Sequence, residues 1–464
     1  MIRHGVVPHL RAAYLGVLAF ALAPFLAAPA QAARACPVDP KPCCAFEPGS
    51  VATHAPIRMG VNIWTHDLPA AIGDIVSIHP KALRFAIGPW WKTEEHLPLN
   101  ANYDAARAYV DRAFAKREAY YRSEIASIRD LRQRTGAELH LVIWEPPLTE
   151  AEDLAEYNKT KTRKLDRSAA QATARFYAAF LASLSQRGLD VDIVELSNEP
   201  DGNWNISIDP DLYLDLVAAT RKEAQEHDVR LPAIAGPGVA VLTSLARYLG
   251  PPARSARMFS LVDHISAHAW DDRAKHDIVA EAGKARALLD QRGWRGRMMV
   301  TEVSVTFPTE DDRARDLGPT RKGDDIVTNR PDYAAALAAT SLGLAAQGFD
   351  TLISWQFRDP SWDPFSYGLE SSDGQRRPGF GAWRDVSARI NADRFLAVKR
   401  AKEAGAFGLF KQGAANGIVL LNRGAAPAGY AIKAGKPPSA AFGCRAADGG
   451  VAYDVPPGAV TIAQ

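Results

Sequence analysis

The stretch VDIVELSNEPDGNW (residues 191–204) joins an apolar, β-branched run to a turn rich in Asn, Pro, Asp and Gly. Upstream, SAAQATARFYAAFLASLSQ repeats apolar residues at helical spacing and stops just before Gly188. Downstream, Asp209-Pro210 opens PDLYLDLVAATRKEAQ, which has the same periodicity. A proline there suits the first turn of a helix, where its missing N–H costs nothing. The order is therefore helix, glycine stop, short buried strand, polar loop, helix.

The same unit recurs along the chain. Apolar runs mark eight strands: RMGVNIW near 58, ALRFAIG near 82, AELHLVIW near 137, VDIVELS near 191, LPAIAG near 231, LVDHISAH near 261, RMMVTEV near 297 and DTLISWQF near 350. Helical stretches such as YDAARAYVDRAFAKREAYYRSEIASIRDL and PDYAAALAATSLGLAAQ lie between them. Gly136, Gly188, Gly293 and Gly348 each close a helical stretch just before a strand, as a left-handed helix stop requires. This alternation predicts an α/β fold, a (β/α)8 TIM barrel over residues 57–392, with an open doubly wound sheet as the alternative. No Gly-x-Gly-x-x-Gly follows the first strand, which counts against the open sheet. Gly236-Pro237-Gly238 reads as a tight loop. From residue 393 to 464 short alternating segments, FGLFKQ, GIVLLNR, AGYAIKA and GAVTIAQ, predict a small antiparallel β-sandwich, with residues 33–56 packed on it.

Residues 1–32 read as a signal peptide: Arg3 and Arg11 precede YLGVLAFALAPFLAAPA, and Ala30-Gln31-Ala32 offers small residues for cleavage. A periplasmic or secreted protein is expected, with no integral membrane segment after signal removal. Losing the two arginines takes the formal charge from +2 to 0, which argues against a nucleic-acid partner. In an oxidising compartment Cys36, Cys43, Cys44 and Cys444 are expected to form two disulfides, Cys36 with one of the adjacent pair and Cys444 with the other. No cofactor is called for, and a monomer is expected.

In a β/α barrel the reactive groups gather where strands turn toward helices. Glu199 follows the fourth strand and Glu302 closes the seventh, so the two carboxylates are expected to face each other across the mouth. Facing carboxylates are the minimum apparatus for glycosidic cleavage, one protonated and one ionised, with each raising the other's proton affinity. Of ten tryptophans, Trp64, Trp90, Trp91, Trp144, Trp204, Trp270, Trp355 and Trp362 fall at or just past strand ends, where flat aromatic faces suit sugar rings. His264 and His268 share a strand face without zinc-site spacing, and no metal is expected. Glu145 and Glu195 are rival acids assigned to subsites or barrel layers. Asp271 and Asp272, beyond Trp270, are expected to bind sugar hydroxyls or only water. Lys92, Arg273 and Arg358 raise the idea of an acidic sugar.

Asn198-Glu199-Pro200 after strand four, with Glu302 in a Thr-Glu-Val segment, resembles glycoside hydrolase clan A. A barrel followed by a small sandwich is similar to families 30, 39, 51 and 79 of that clan. The resemblance implies a retaining enzyme with Glu199 as acid/base and Glu302 as nucleophile, acting on a β-linked poly- or oligosaccharide. It further implies that Asn198 meets the sugar 2-hydroxyl or the nucleophile, that Arg84 keeps Glu302 ionised, that His268 sits near the nucleophile, and that Trp355 floors the sugar subsite. Trp90, Trp144, Trp204 and Trp270 are further substrate-binding candidates. The alternative is a catalytically silent barrel that binds polysaccharide.

Overall fold

The computed structural model describes residues 57–88, 96–150, 163–272, 277–307, 326–362 and 365–390, together with Asp312, and the backbone of strand Cys44–Phe46 and of the strands after residue 393. Eight strands form a closed, all-parallel barrel: β1 (Arg58–Trp64), β2 (Ala82–Ala86), β3 (Glu138–Val142), β4 (Ile193–Glu195), β5 (Ala233–Val239), β6 (His264–Asp272), β7 (Arg297–Phe307) and β8 (Thr351–Ser354). They pair in sequence order, and β8 closes on β1. The expected barrel is thus the observed one. Parallel strands need a crossover between each pair, and helices supply it. They are α1 (Leu68–Ser77), α2 (Tyr103–Ala115), α3 (Glu118–Thr135), α4 (Ala170–Gln186), α5 (Pro210–Glu226), α6 (Ser244–Leu249), α7 (Pro252–Leu261), α8 (Ile278–Gln291), α9 (Pro331–Ala346) and α10 (Pro378–Ile390).

The helix stops work as the sequence suggests. Gly136, Gly188, Gly293 and Gly348 have φ of 64°, 81°, 88° and 91°, a region that a Cβ disfavours. At the other end of α5, Pro210 occupies the first turn and the Asp209 side chain accepts from the Asp211 N–H. Two features depart from expectation. The long helical stretch after Tyr103 breaks at Lys116–Arg117, where Arg117 has φ −140° and ψ 40°, so α2 packs on α4 while α3 packs on α1. Gly236-Pro237-Gly238 is not a loop: it lies within β5, where Gly236 and Pro237 pair with Ile265 and Ser266 of β6, while the pairing with β4 ends at Ala235.

Inside the barrel an apolar layer of Ile193, Ala235 and Met299 underlies a polar layer of Asn62, Arg84, Glu195 and Thr301. Beyond the barrel, β9 (Arg394–Ala397), β10 (Ala404–Lys411), β11 (Ala414–Asn422) and β15 (Val460–Ala463) form one antiparallel sheet. Strands β12 (Ala428–Ile432), β13 (Gly443–Arg445) and β14 (Val451–Val455) form another, to which Cys44–Phe46 adds alongside β12. The side chains of the four cysteines, and residues 1–32, lie outside the described residues. No helix among the described residues is long and apolar enough to cross a membrane.

Candidate active site

Arg84 organises the barrel mouth. It points inward beside Asn62, its register partner on β1, and is fully buried. Its Nε donates to Glu195 Oε2 at 2.7 Å, and Nη1 to Glu302 Oε1 at 2.7 Å and Asn62 Oδ1 at 2.9 Å. Its Nη2 donates to Asn198 Oδ1 at 2.7 Å. Asn62 is fixed in turn, donating to the carbonyls of Thr301 and Ser354 at 3.0 and 3.2 Å. A guanidinium stripped of water needs its charge and its donors answered in place, and this arrangement does both.

Glu302 reaches Arg84 because β7 carries an irregularity. Its register against β6 shifts between Val300 and Glu302. Neighbouring strand residues normally face opposite sides, but a bulge lets two successive ones face the same side. Here Thr301 Oγ1 donates to Glu195 Oε1 at 3.0 Å while Glu302 meets Arg84. Contrary to expectation, Glu302 does not close its strand: β7 runs on to Phe307, because its pairing with β6 continues from Val303 opposite Ala269 to Phe307 opposite Asp272.

Glu199 stands four residues past the end of β4, with φ of 50°, a backbone region that non-glycine residues seldom occupy. Two backbone bonds hold it there: its N–H donates to the Gly238 carbonyl at 3.0 Å, and its own carbonyl accepts from Gly202 at 3.0 Å. Gly238 itself has φ 66°, a strained region for any side chain, and a Cβ there would crowd Glu195 Oε1 at 3.2 Å and the Ser197 carbonyl at 3.3 Å. The Glu199 carboxylate then takes three contacts. His268 Nδ1 lies 3.0 Å from Oε1, Asn205 Nδ2 donates to Oε2 at 3.3 Å, and the Trp204 indole N–H donates to the same oxygen.

The two carboxylates meet. An oxygen of Glu199, an oxygen of Glu302 and a ring nitrogen of His268 all lie within 4.8 Å of one another. His268 Nδ1 is also 3.4 Å from Glu302 Oε2, so one ring nitrogen spans both acids. Three such ligands are also the grouping a divalent ion would use, although the sequence offers no metal-site spacing. The positive charge such an ion would bring is already supplied beside Glu302 by Arg84.

The proton affinities differ from the sequence expectation. Burial pushes the Glu302 carboxyl above its usual range, against the pull of His268 and Arg84, and Glu199 adds to the rise. Burial also pushes Glu199 upward, but the hydrogen bonds from His268 and Trp204 favour its ionised form and bring it below the ordinary value. Facing acids are expected to raise each other: Glu302 does rise, although Arg84 is expected to keep it ionised, and Glu199 falls instead. His268, though burial opposes its charge, is raised by the two carboxylates it faces. Glu195 is held low by Arg84 despite its burial, which makes it a member of the barrel layer.

The other predicted residues fall in several places. Asn198 is buried, and with Oδ1 held by Arg84 its Nδ2 is a donor without a protein partner. Trp64, Trp144 and Trp355 form a cage with ring centroids 5.7–5.8 Å apart, and Trp270 packs against Trp355 and Tyr367. Trp204 and Trp362 are each 59% exposed, whereas Trp294 and Trp383 are buried. Trp90, Trp91, Lys92 and Arg273 lie outside the described residues. Arg358 is committed to an ion pair with Glu370 at 2.7 Å. Asp271 is buried and accepts from Thr340 at 2.7 Å, so it does not face a sugar.

Asn62, Thr301 and Asn205 belong to the site without having been singled out in the sequence. Asn62 left a signal, a lone polar residue inside the apolar run RMGVNIW. Asn205 left only its place next to Trp204, and it also accepts from Trp144 at 2.8 Å.

No family model matches the chain, and no curated protein does. Solved structures do. The endo-β1,6-glucanase BT3312 is similar over 90% of this chain and 92% of its own, with a TM-score of 0.62 and 12% identity. A family 39 glycoside hydrolase from Bacteroides cellulosilyticus WH2 is similar over 88% and 81%, with a TM-score of 0.60 and 13% identity. The family 30 subfamily 8 xylanase Xyn30A from Clostridium acetobutylicum is similar over 89% and 97%, with a TM-score of 0.56 and 15% identity. The chain has the barrel fold of these structures.

Proposed function

We propose that this protein is a retaining glycoside hydrolase that cleaves a β-linked poly- or oligosaccharide by double displacement. The supporting observation is the separation of the two acids. Oxygens of Glu199 and Glu302 lie within 4.8 Å, with the guanidinium of Arg84 on Glu302. Inverting enzymes hold their carboxyls at about 6.5–9.5 Å to admit a water, while direct attack on the sugar carbon requires about 5 Å.

In the first step a Glu302 carboxylate oxygen bonds the anomeric carbon as the glycosidic C–O bond breaks, and Glu199 gives its proton to the leaving oxygen. In the second step water attacks the same carbon, its proton passes to Glu199, and Glu302 leaves as a carboxylate. Arg84 stabilises Glu302 in its ionised form before attack and on departure. Asn198 Nδ2, aimed at no protein acceptor, donates to the 2-hydroxyl or to Glu302, a contact that strengthens as the transition state forms.

In the free site Glu199 is held ionised by His268, Trp204 and Asn205. A leaving oxygen that takes the place of one of these donors raises its proton affinity, and His268 Nδ1, 3.0 Å away, is the nearest source of the proton. The titration then belongs to the cluster of Glu199, His268 and Glu302 rather than to one residue.

Export through residues 1–32, two disulfides among the four cysteines and a monomeric state complete the proposal. The anomeric configuration of the first product, followed by NMR during hydrolysis of a panel of β-glucans and β-xylans, tests it. A β product supports double displacement. An α product is incompatible with Glu302 as nucleophile.

A further inference from the structure

A cavity of about 360 Å³ opens beside the catalytic pair, and nothing in the mechanism above uses it. Its lining includes Trp144, Trp204 and Asn205; the latter two bond Glu199, so the cavity adjoins the acid/base residue. The lining also draws on α3, the helix that begins after the break at Lys116–Arg117. It presents Tyr120 and Glu124.

Glu124 is unusual: it is only 6% exposed, and its hydrogen-bond partners are neutral, the Thr65 hydroxyl at 2.7 Å and the Tyr120 phenol. Tyr120 is 44% exposed. A buried carboxyl bonded only to hydroxyls, in a cavity that indole rings also line, matches the needs of a sugar ring. The ring would stack one face on tryptophan and offer hydroxyls to acceptors at its edge. Glu145 lines the same cavity. Arg117 lines it as well, and Arg163 lies 3.7 Å from Glu145, so acidic and basic groups offset each other and a ring without charge fits best.

We propose that this cavity is a subsite for a neutral sugar ring next to the one being cleaved, with Glu124 and Tyr120 as its specificity-determining residues. The inference rests on the reading of the protein as a glycosidase.

The test compares kcat/KM for aryl monosides and aryl triosides of β-glucose and β-xylose, in wild type and in Glu124→Ala, Glu124→Gln and Tyr120→Phe. Thermal unfolding and monoside turnover show that each variant is folded. One lost hydrogen bond to a carboxyl is worth roughly tenfold. Glu124→Ala is therefore expected to lower kcat/KM for the trioside about tenfold more than for the monoside. Glu124→Gln, which keeps a hydrogen-bonding edge, recovers part of that difference, and Tyr120→Phe shows a smaller difference of the same sign. Equal losses on both substrates in Glu124→Ala and Tyr120→Phe, with wild-type activity present, overturn the subsite and leave the catalytic reading standing. Better cleavage of a uronate-bearing trioside than of the neutral one overturns its neutral specificity. Absence of turnover on every substrate, together with no covalent labelling of Glu302 by a fluoro-sugar, removes both readings.

Discussion

Replacing Arg84 with lysine keeps the charge and removes the fork. The guanidinium spreads its donors over Glu195, Glu302, Asn62 and Asn198 at 2.7–2.9 Å, from a position with no exposure to water. A single ammonium can hold one of the two carboxylates well, so at least two charge-assisted bonds are lost or stretched. At about 1.5 kcal/mol net for each, the loss is about 3 kcal/mol. That agrees with the roughly 3–5 kcal/mol cost of breaking a buried pair.

At about 1.4 kcal/mol per decade, kcat/KM of Arg84→Lys should fall about 100-fold, with a lower unfolding temperature. The pH profile carries the sign. Weakening the cation's grip raises the proton affinity of Glu302. Because the nucleophile must be ionised, the acidic limb of kcat/KM moves to higher pH. The assay is kcat/KM for an aryl glycoside across pH, with calorimetry on the same samples. A variant within threefold of wild type, with an unmoved acidic limb, would refute the claim that Arg84 tunes Glu302.

Glu199→Gln should lose about 10²–10⁴-fold on substrates with poor leaving groups. On aryl glycosides with good leaving groups it should still form the glycosyl-enzyme, and added azide should restore turnover by attacking without a general base; no azide effect would count against Glu199 as acid/base. Trp204→Phe removes a donor from the Glu199 carboxylate and so raises its proton affinity. Since the acid must be protonated, the alkaline limb is expected to move up, and a fixed limb with only KM changed would make Trp204 a stacking surface alone. Asn198→Ala should cost about 100-fold on ordinary glycosides and much less on 2-deoxy glycosides, measured as kcat/KM; equal losses on both would place Asn198 away from the 2-hydroxyl.

The barrel was legible because its signals are local and repeat: apolar runs of strand length, helical periodicity between them, and glycines at the stops. Arg84, Asn198, Glu199, His268 and Glu302 were legible because inward positions near strand ends converge in a closed barrel. What was hidden depends on register and packing. The bulge that turns Thr301 and Glu302 to the same side has no composition of its own, and VTEVS reads equally well as a strand ending at Glu302. The helix break at Lys116–Arg117 involves neither Gly nor Pro, and it appears only when α2 and α3 find different partners. Gly236-Pro237-Gly238 has the composition of a loop, yet it lies within β5, paired with β6, and the Gly238 carbonyl fixes Glu199. The proton order of the acids depends on Trp204 and His268 bonding Glu199, contacts between residues distant in sequence or folded back by a turn.

As the nucleophile, Glu302 bonds the sugar carbon in a glycosyl-enzyme that can be trapped. Incubation with a 2-deoxy-2-fluoro glycoside bearing a good leaving group, followed by intact-mass and peptide-mass analysis, measures this directly. One added fluoro-glycosyl mass per chain is expected, carried by the peptide that contains Glu302 and absent in Glu302→Gln. A label on another residue, or turnover of that reagent through an inverted product with no adduct at any time, would contradict it.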